Sequence, residues 1–335
     1  MVPRDAGGPV GVHAARRGAV RGGRREGASP EVWRIPLPPG GEKASSAALP
    51  AGARGTPPPT LSARVTTPAG PRRAVIVIWP ALGVDASYYD LFGERLAALG
   101  IAAVAVDLRG QGASRPRPGR GTRHGYHELA SRDWPAVLDA VRDRFGPGVP
   151  LYPLGHSIGG QVSVLHLARG TEAVDGLLLV AAGSVDFRGF RGAARYRVLA
   201  STQLVALVSA VWGFWPGHRL GFGGRQPARL MRDWARICRT GRFAPAGADF
   251  DYEAHLGEVT LPVLAVSVAG DHLAPAGAVD RLCAKLPAAE VERWHYRPDG
   301  GERVDHVRWA RRGAAIAERI SGWLTEREAA ARRPS

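Results

Sequence analysis

The chain has 335 residues, is 45% hydrophobic, carries a formal charge of +15 and contains two cysteines. That length and apolar content suit one large domain or two small ones, and the widely separated Cys238 and Cys283 exclude a disulfide framework or a thiolate metal site. The positive charge is almost all arginine, spread along the chain with only Lys43 and Lys285 as lysines, so no dense basic stripe for nucleic acid is expected.

Residues 1–58 are rich in Arg, Gly, Ala and Pro and poor in large apolar side chains. Such a segment buries too little surface to offset its ordering entropy, so a disordered arm is expected. Within it, "EVWRIPL" (Glu31 to Leu37) reads as a short strand or docking peptide. The opening residues hold arginine pairs but no following apolar run, so no export signal is expected and a cytoplasmic location is the expectation.

From Leu61 the pattern changes. Short β-branched runs appear in order: "LSARVTT", "AVIVIW", "IAAVAVD", "VPLYPLG", "GLLLVAAG", "LPVLAVSV" and "AEVERWHY". Between them, Trp134, Val137, Leu138, Val141 and Phe145 recur at helical spacing, as do Ile316, Ile320, Trp323 and Leu324. Repeated strand–helix alternation predicts an α/β fold, a mostly parallel sheet with helices on both faces. The expected core is 59–183 with 259–330.

Residues 184–258 interrupt the alternation, with no strand pair expected among them. They include "VLASTQLVALVSAVWGFW" (Val198 to Trp215), an uncharged run whose length just reaches the membrane-spanning range. Spanning a bilayer would separate the last two strands from their sheet, so a helical cap over the sheet's carboxyl edge is expected. Peripheral membrane contact stays open. Leu204, Leu207, Val208, Trp212, Phe214 and Trp215 are candidates either to line a pocket for an acyl chain or simply to pack the cap.

"LGHSIGGQ" (Leu154 to Gln161) lies between a strand and a helical stretch. Its Gly155-His156-Ser157-Ile158-Gly159 core has the G-x-S-x-G spacing of a nucleophile elbow, where a serine takes a strained turn and small neighbours let strand and helix approach. A serine hydroxyl needs a base, and that base needs an orienting acid. Asp271 follows the strand "LPVLAVSV", and His306 follows the last strand; together with Ser157 they form the expected triad. His272 and His295 are rival bases, Asp186 is the alternative acid, and Asp305 sits too near His306 in sequence to face it. His156 is expected to pack or hydrogen-bond locally.

Two backbone N–H groups must face the developing oxyanion. One is expected from Ile158 and the other from the turn after "AVIVIW". Pro80 has no N–H, so Ala81 is the better candidate and Leu82 the second. In "DLRGQGAS" (Asp107 to Ser114) the glycines shape a tight turn with Arg109 as an anchor; the Gly-Lys-Ser/Thr ending of a phosphate loop is missing.

With "WPALGVDASYYDLFGERLAALGIAAVAVDLRGQGAS", "YPLGHSIGGQ", "PGHRLGFGG", "RDWARICR" and "LPVLAVSVAGDHLAP", the chain resembles the α/β-hydrolase superfamily over about residues 61 to 328. More narrowly, it resembles a little-characterised bacterial group of predicted serine α/β-hydrolases. The resemblance implies Ser157, Asp271 and His306 in that order, with no metal or organic cofactor. Two departures stand out: Trp79-Pro80 replaces the His-Gly pair that commonly opens the oxyanion turn, and "GERVDHVRWARR" lacks the usual Gly-His. The expected activity is hydrolysis of a small hydrophobic ester. An acyltransferase with the same triad and a non-catalytic binding protein are the alternatives. The sequence assigns no oligomeric state.

Overall fold

In the computed structural model, which describes residues 30–38, 59–170, 174–298 and 302–332, the alternating runs build one eight-stranded sheet. The chain begins with β1 (Glu31–Pro36), β2 (Thr60–Thr66), β3 (Ala74–Trp79), α1 (Asp90–Ala98) and β4 (Ile101–Val106). It continues through α2 (Tyr126–Glu128), α3 (Trp134–Phe145), β5 (Leu151–His156), α4 (Ile158–Leu167) and β6 (Leu177–Val180). An insertion follows, with α5 (Ala193–Trp212), β7 (Phe214–Pro216), α6 (Gly217–Leu220), β8 (Arg225–Pro227), α7 (Ala228–Thr240) and α8 (Tyr252–His255). The chain then returns to the sheet in β9 (Val263–Val268), α9 (Ala276–Cys283), β10 (Val291–Tyr296), α10 (Trp309–Arg312) and α11 (Ala314–Ala331).

The sheet order is β1-β2-β4-β3-β5-β6-β9-β10. All pairs from β4 to β10 are parallel, and β2 runs antiparallel to both β1 and β4. Parallel strands covered on both faces need continuous apolar runs, and every residue of β3 and β4 is buried. Along β3, Val75, Val77 and Trp79 share a core with Trp134 and Val137 of α3 and Val162 of α4. Ile76 and Ile78 face the other way, into a core with Phe92 of α1 and Ile316 and Ile320 of α11.

The arm is not without structure throughout: of the two readings of "EVWRIPL", the short strand is the one that forms, with Glu31–Pro36 pairing along β2 and Ile35 opposite Leu61. Burial of Ile35 and Leu37 in the core supplies the apolar contact that the rest of the arm's composition lacks. Residues 1–29 and 39–58 lie outside the described residues. The insertion is not purely helical either: β7 and β8 form a small antiparallel ribbon with Phe214 opposite Pro227. Among the described residues no helix is long and apolar enough to cross a membrane.

Candidate active site

Ser157 joins β5 to α4 with φ +55° and ψ −120°. A non-glycine residue in this region is strained, and the turn lifts the serine clear of the strand end. The glycines two positions away are steric necessities. A Cβ on Gly155 would lie 2.3 Å from Gly160 Cα, and one on Gly159 would lie 2.1 Å from the Trp79 carbonyl oxygen. Ser157 is half-buried while its neighbours on both sides are buried.

Asp271 and His306 meet beyond the carboxyl ends of β9 and β10. His306 Nδ1–H donates to Asp271 Oδ2 at 2.9 Å, and Asp271 Oδ1 accepts the N–H groups of Leu273 and Ala274 at 2.8 Å each. Both side chains are buried. The carboxylate therefore holds the imidazole as its Nδ1–H tautomer and leaves Nε2 as the basic nitrogen.

The rival residues are occupied elsewhere. Asp186 caps a turn by accepting Arg188 N–H at 3.0 Å and pairs with Arg281 at 3.0 Å. His295 lies on β10 with Nδ1 2.8 Å from Ser267 Oγ, and His272 is exposed beside Asp271. Asp305 accepts Arg308 N–H at 2.9 Å within its own turn.

His156 ties the turn at Ser157 to His306. Its Nε2–H donates to the His306 carbonyl at 2.7 Å, and Tyr89 Oη–H donates to its Nδ1 at 2.6 Å. Burial, reinforced by the neighbouring His306, holds the His156 imidazole well below its ordinary range, so it stays neutral. Trp309 stands edge-on to the ring at 5.1 Å. The residue preceding Ser157 thus anchors the backbone of the histidine that follows β10.

The turn after β3 does not present the N–H expected of it. Ala81 N–H donates to Tyr89 Oη at 3.2 Å, because a buried N–H needs a partner and the buried tyrosine oxygen offers one. Gly83 N–H donates to Gln111 Oε1 at 2.6 Å, and Val84 N–H to the Ala81 carbonyl at 3.1 Å. Leu82, the second candidate, keeps its N–H unpaired among the described residues. So does Ile158, at the N-terminus of α4. The loop expected as a plain tight turn has a further job: Asp107 accepts Ala86 N–H at 2.7 Å and Ala113 N–H at 2.8 Å, which sets Gln111 against Gly83. Arg109 anchors the loop on buried Asp133, with Nε 3.1 Å from the carboxylate. Tyr89 and Gln111 carried no sequence signal beyond being an aromatic in a helical stretch and a polar residue in a glycine-rich turn.

The insertion reaches this site through its backbone, since a Cβ on Gly83 would lie 2.4 Å from the Gly223 carbonyl carbon. The apolar run is divided. Leu204 and Leu207 are 60% and 62% exposed on the outer face of α5, so neither lining a pocket nor packing the cap describes them, whereas Trp212, itself 51% exposed, and Phe214 wall a cavity at the end of that helix. The inner face of α5 is taken by Thr202, Val205 and Ser209. Val208 and Phe214 are half-buried, and buried Trp215 donates its ring N–H to the Phe222 carbonyl at 2.8 Å. Among the described residues no three His, Cys, Asp or Glu side chains gather as a metal-binding group.

Residues 70–206 match the family model described as serine aminopeptidase, S33. Monoglyceride lipase of Mus musculus is 23% identical over 277 residues, spanning 81% of this chain and 88% of the lipase. An esterase from Exiguobacterium antarcticum superposes with a TM-score of 0.51 at 16% identity, over 80% of this chain and 96% of the esterase. A thermostable carboxyl esterase from Bacillus coagulans gives 0.54 at 16% identity, over 80% and 94%.

Proposed function

We propose that this chain is a member of the α/β-hydrolase superfamily and a serine hydrolase that cleaves carboxylic esters through an acyl-enzyme on Ser157, a reading supported by the family model, the lipase relatives and the shared fold. The observation that carries this reading is the Asp271–His306 pair, whose histidine backbone is held by His156, the residue next to a serine with φ +55°.

In the proposed reaction, Ser157 Oγ attacks the ester carbonyl while His306 Nε2 takes its proton. Asp271 stabilises the imidazolium that forms. The N–H groups of Ile158 and Leu82 receive the oxyanion, since Ala81 N–H is engaged by Tyr89. His306 then protonates the leaving alcohol. Water, deprotonated by the same nitrogen, attacks the acyl carbonyl and releases Ser157. No metal or organic cofactor has a step in this sequence.

Esters are favoured over amides because the relatives named above include a monoglyceride lipase and two esterases of the same fold. The substrate proposed is a small ester with a hydrophobic acyl group, approached beneath the insertion, which acts as a cap. Labelling of purified protein with a fluorophosphonate probe tests the reading, together with turnover of short p-nitrophenyl esters. Wild type is expected to label and turn over, and Ser157→Ala and His306→Ala to do neither. A folded wild-type protein silent in both assays overturns it.

A further inference from the structure

The helix α5 is built inside out. Thr202 and Ser209 are fully buried, and their hydroxyls are satisfied by their own helix, on the carbonyls of Leu199 at 2.9 Å and Val205 at 2.6 Å. Outward face Tyr196, Leu204, Leu207 and Val211, from 60% to 75% exposed. Their spacing of eight, three and four residues keeps them on one stripe, which at the helical rise is about 22 Å long. Water-soluble surfaces rarely carry a contiguous aliphatic stripe of this length without a partner.

At its C-terminal end the stripe meets a cavity of ≈ 250 Å³ walled by Trp212, Phe214, Pro216 and Leu220 and edged by Arg219 and Arg225. The Arg225 guanidinium lies 4.0 Å over the Phe214 ring. Charge selects the partner. From Phe187 to Arg232 the chain has eight arginines and no Asp or Glu, and only Arg188 and Arg229 of them form ion pairs among the described residues, with Asp186 and Glu128. A second copy of this face would meet like charge, whereas an anionic surface would meet aliphatic insertion and cations together.

We propose that the outer face of α5, with the Arg219 edge, docks the protein peripherally on anionic lipid bilayers. The leucines and Val211 enter the acyl boundary while Arg197 and Arg219 meet phosphate headgroups. This goes beyond the ester-hydrolase reading and is independent of it, since binding needs no Ser157 chemistry.

The test is flotation of the full chain with phosphatidylcholine vesicles, with and without phosphatidylglycerol. Wild type is expected to float with the anionic vesicles only, and to detach in high salt. Leu204→Ser/Leu207→Ser/Val211→Ser alters exposed positions, so circular dichroism and melting should match wild type while flotation falls about tenfold or more. Arg197→Glu/Arg219→Glu should lower binding to the anionic vesicles by about tenfold. All variants keep the arginine-rich N-terminal residues, so the difference reports α5. Failure to float on either vesicle, equal binding to neutral vesicles, or wild-type flotation by the serine variant each overturns the proposal. So does a wild-type dimer that the serine variant converts to monomer, which would make the stripe an interface between copies.

Discussion

Asp271 holds His306 through one carboxylate oxygen, 2.9 Å from Nδ1, while its other oxygen is fixed by two backbone N–H groups. The acid is therefore immobile, and its charge is aimed at one ring nitrogen. Asp271→Asn preserves shape but presents an amide that can stabilise the wrong tautomer. Under the proposed mechanism kcat is expected to fall by about 10³–10⁴-fold with KM little changed. Asp186→Asn, at a residue engaged by Arg188 and Arg281, should stay within a few-fold of wild type in kcat. Steady-state kinetics on a p-nitrophenyl ester separate the two; equal losses would return Asp186 to the triad.

Tyr89 Oη takes the Ala81 N–H and gives its own proton to His156. Tyr89→Phe leaves two buried polar groups unpaired, and each such group costs about 1–3 kcal/mol. A combined loss of about 2–6 kcal/mol by denaturant unfolding is expected, together with a lower kcat as the His306 backbone loses its support. Wild-type stability in the variant would show that the relay contributes nothing.

Gln111 fixes the turn after β3 by accepting Gly83 N–H at 2.6 Å. If Leu82 N–H serves the oxyanion, Gln111→Ala should misplace it and lower kcat by about 10–10²-fold, less than outright removal of a donor. KM should hardly move, because the ground-state carbonyl carries little charge. A rise in KM at constant kcat would assign the turn to substrate binding instead.

Asp233 on α7 is buried; one oxygen accepts Ala246 N–H at 2.9 Å and the other has no hydrogen-bond partner among the described residues. Burial pushes its carboxyl up to about 6. A folded-state value above the unfolded one, about 4, means that the folded protein binds this proton more tightly. Its contribution to stability is thus full at low pH and lost as pH rises from about 4 to about 6. Asp233→Asn removes that titration, so the variant should gain on wild type by about 1–3 kcal/mol across the interval. Denaturant unfolding of both proteins at the two ends of the range measures the gap. A gap independent of pH would mean that the carboxyl does not titrate there.

Local pattern made much of this protein legible from its sequence. Continuous runs such as "AVIVIW" can only be buried parallel strands when helices flank them, and all seven runs from Leu61 onward became strands. The elbow was equally legible, because Gly155 and Gly159 are demanded by contacts a few residues away. Ser157, Asp271 and His306 were found by their places after strand ends, and the geometry brings the last two together.

What the tertiary structure alone decided were the choices between chemically equivalent groups. Ala81 and Leu82 both have an N–H, and only the arrival of Tyr89 Oη shows which one is occupied. His156 and His306 lie 150 residues apart, so no window of sequence contains their bond. The outward stripe on α5 was hidden for a different reason. Its serine and threonine hydroxyls can satisfy themselves on helix carbonyls, so burying them costs little, and a nearly all-apolar run carries no polar face to mark which side meets solvent. Sequence determined the elements and the order of the proposed catalytic residues. Which donors remain free, and which apolar face remains uncovered, depends on groups converging from distant parts of the chain.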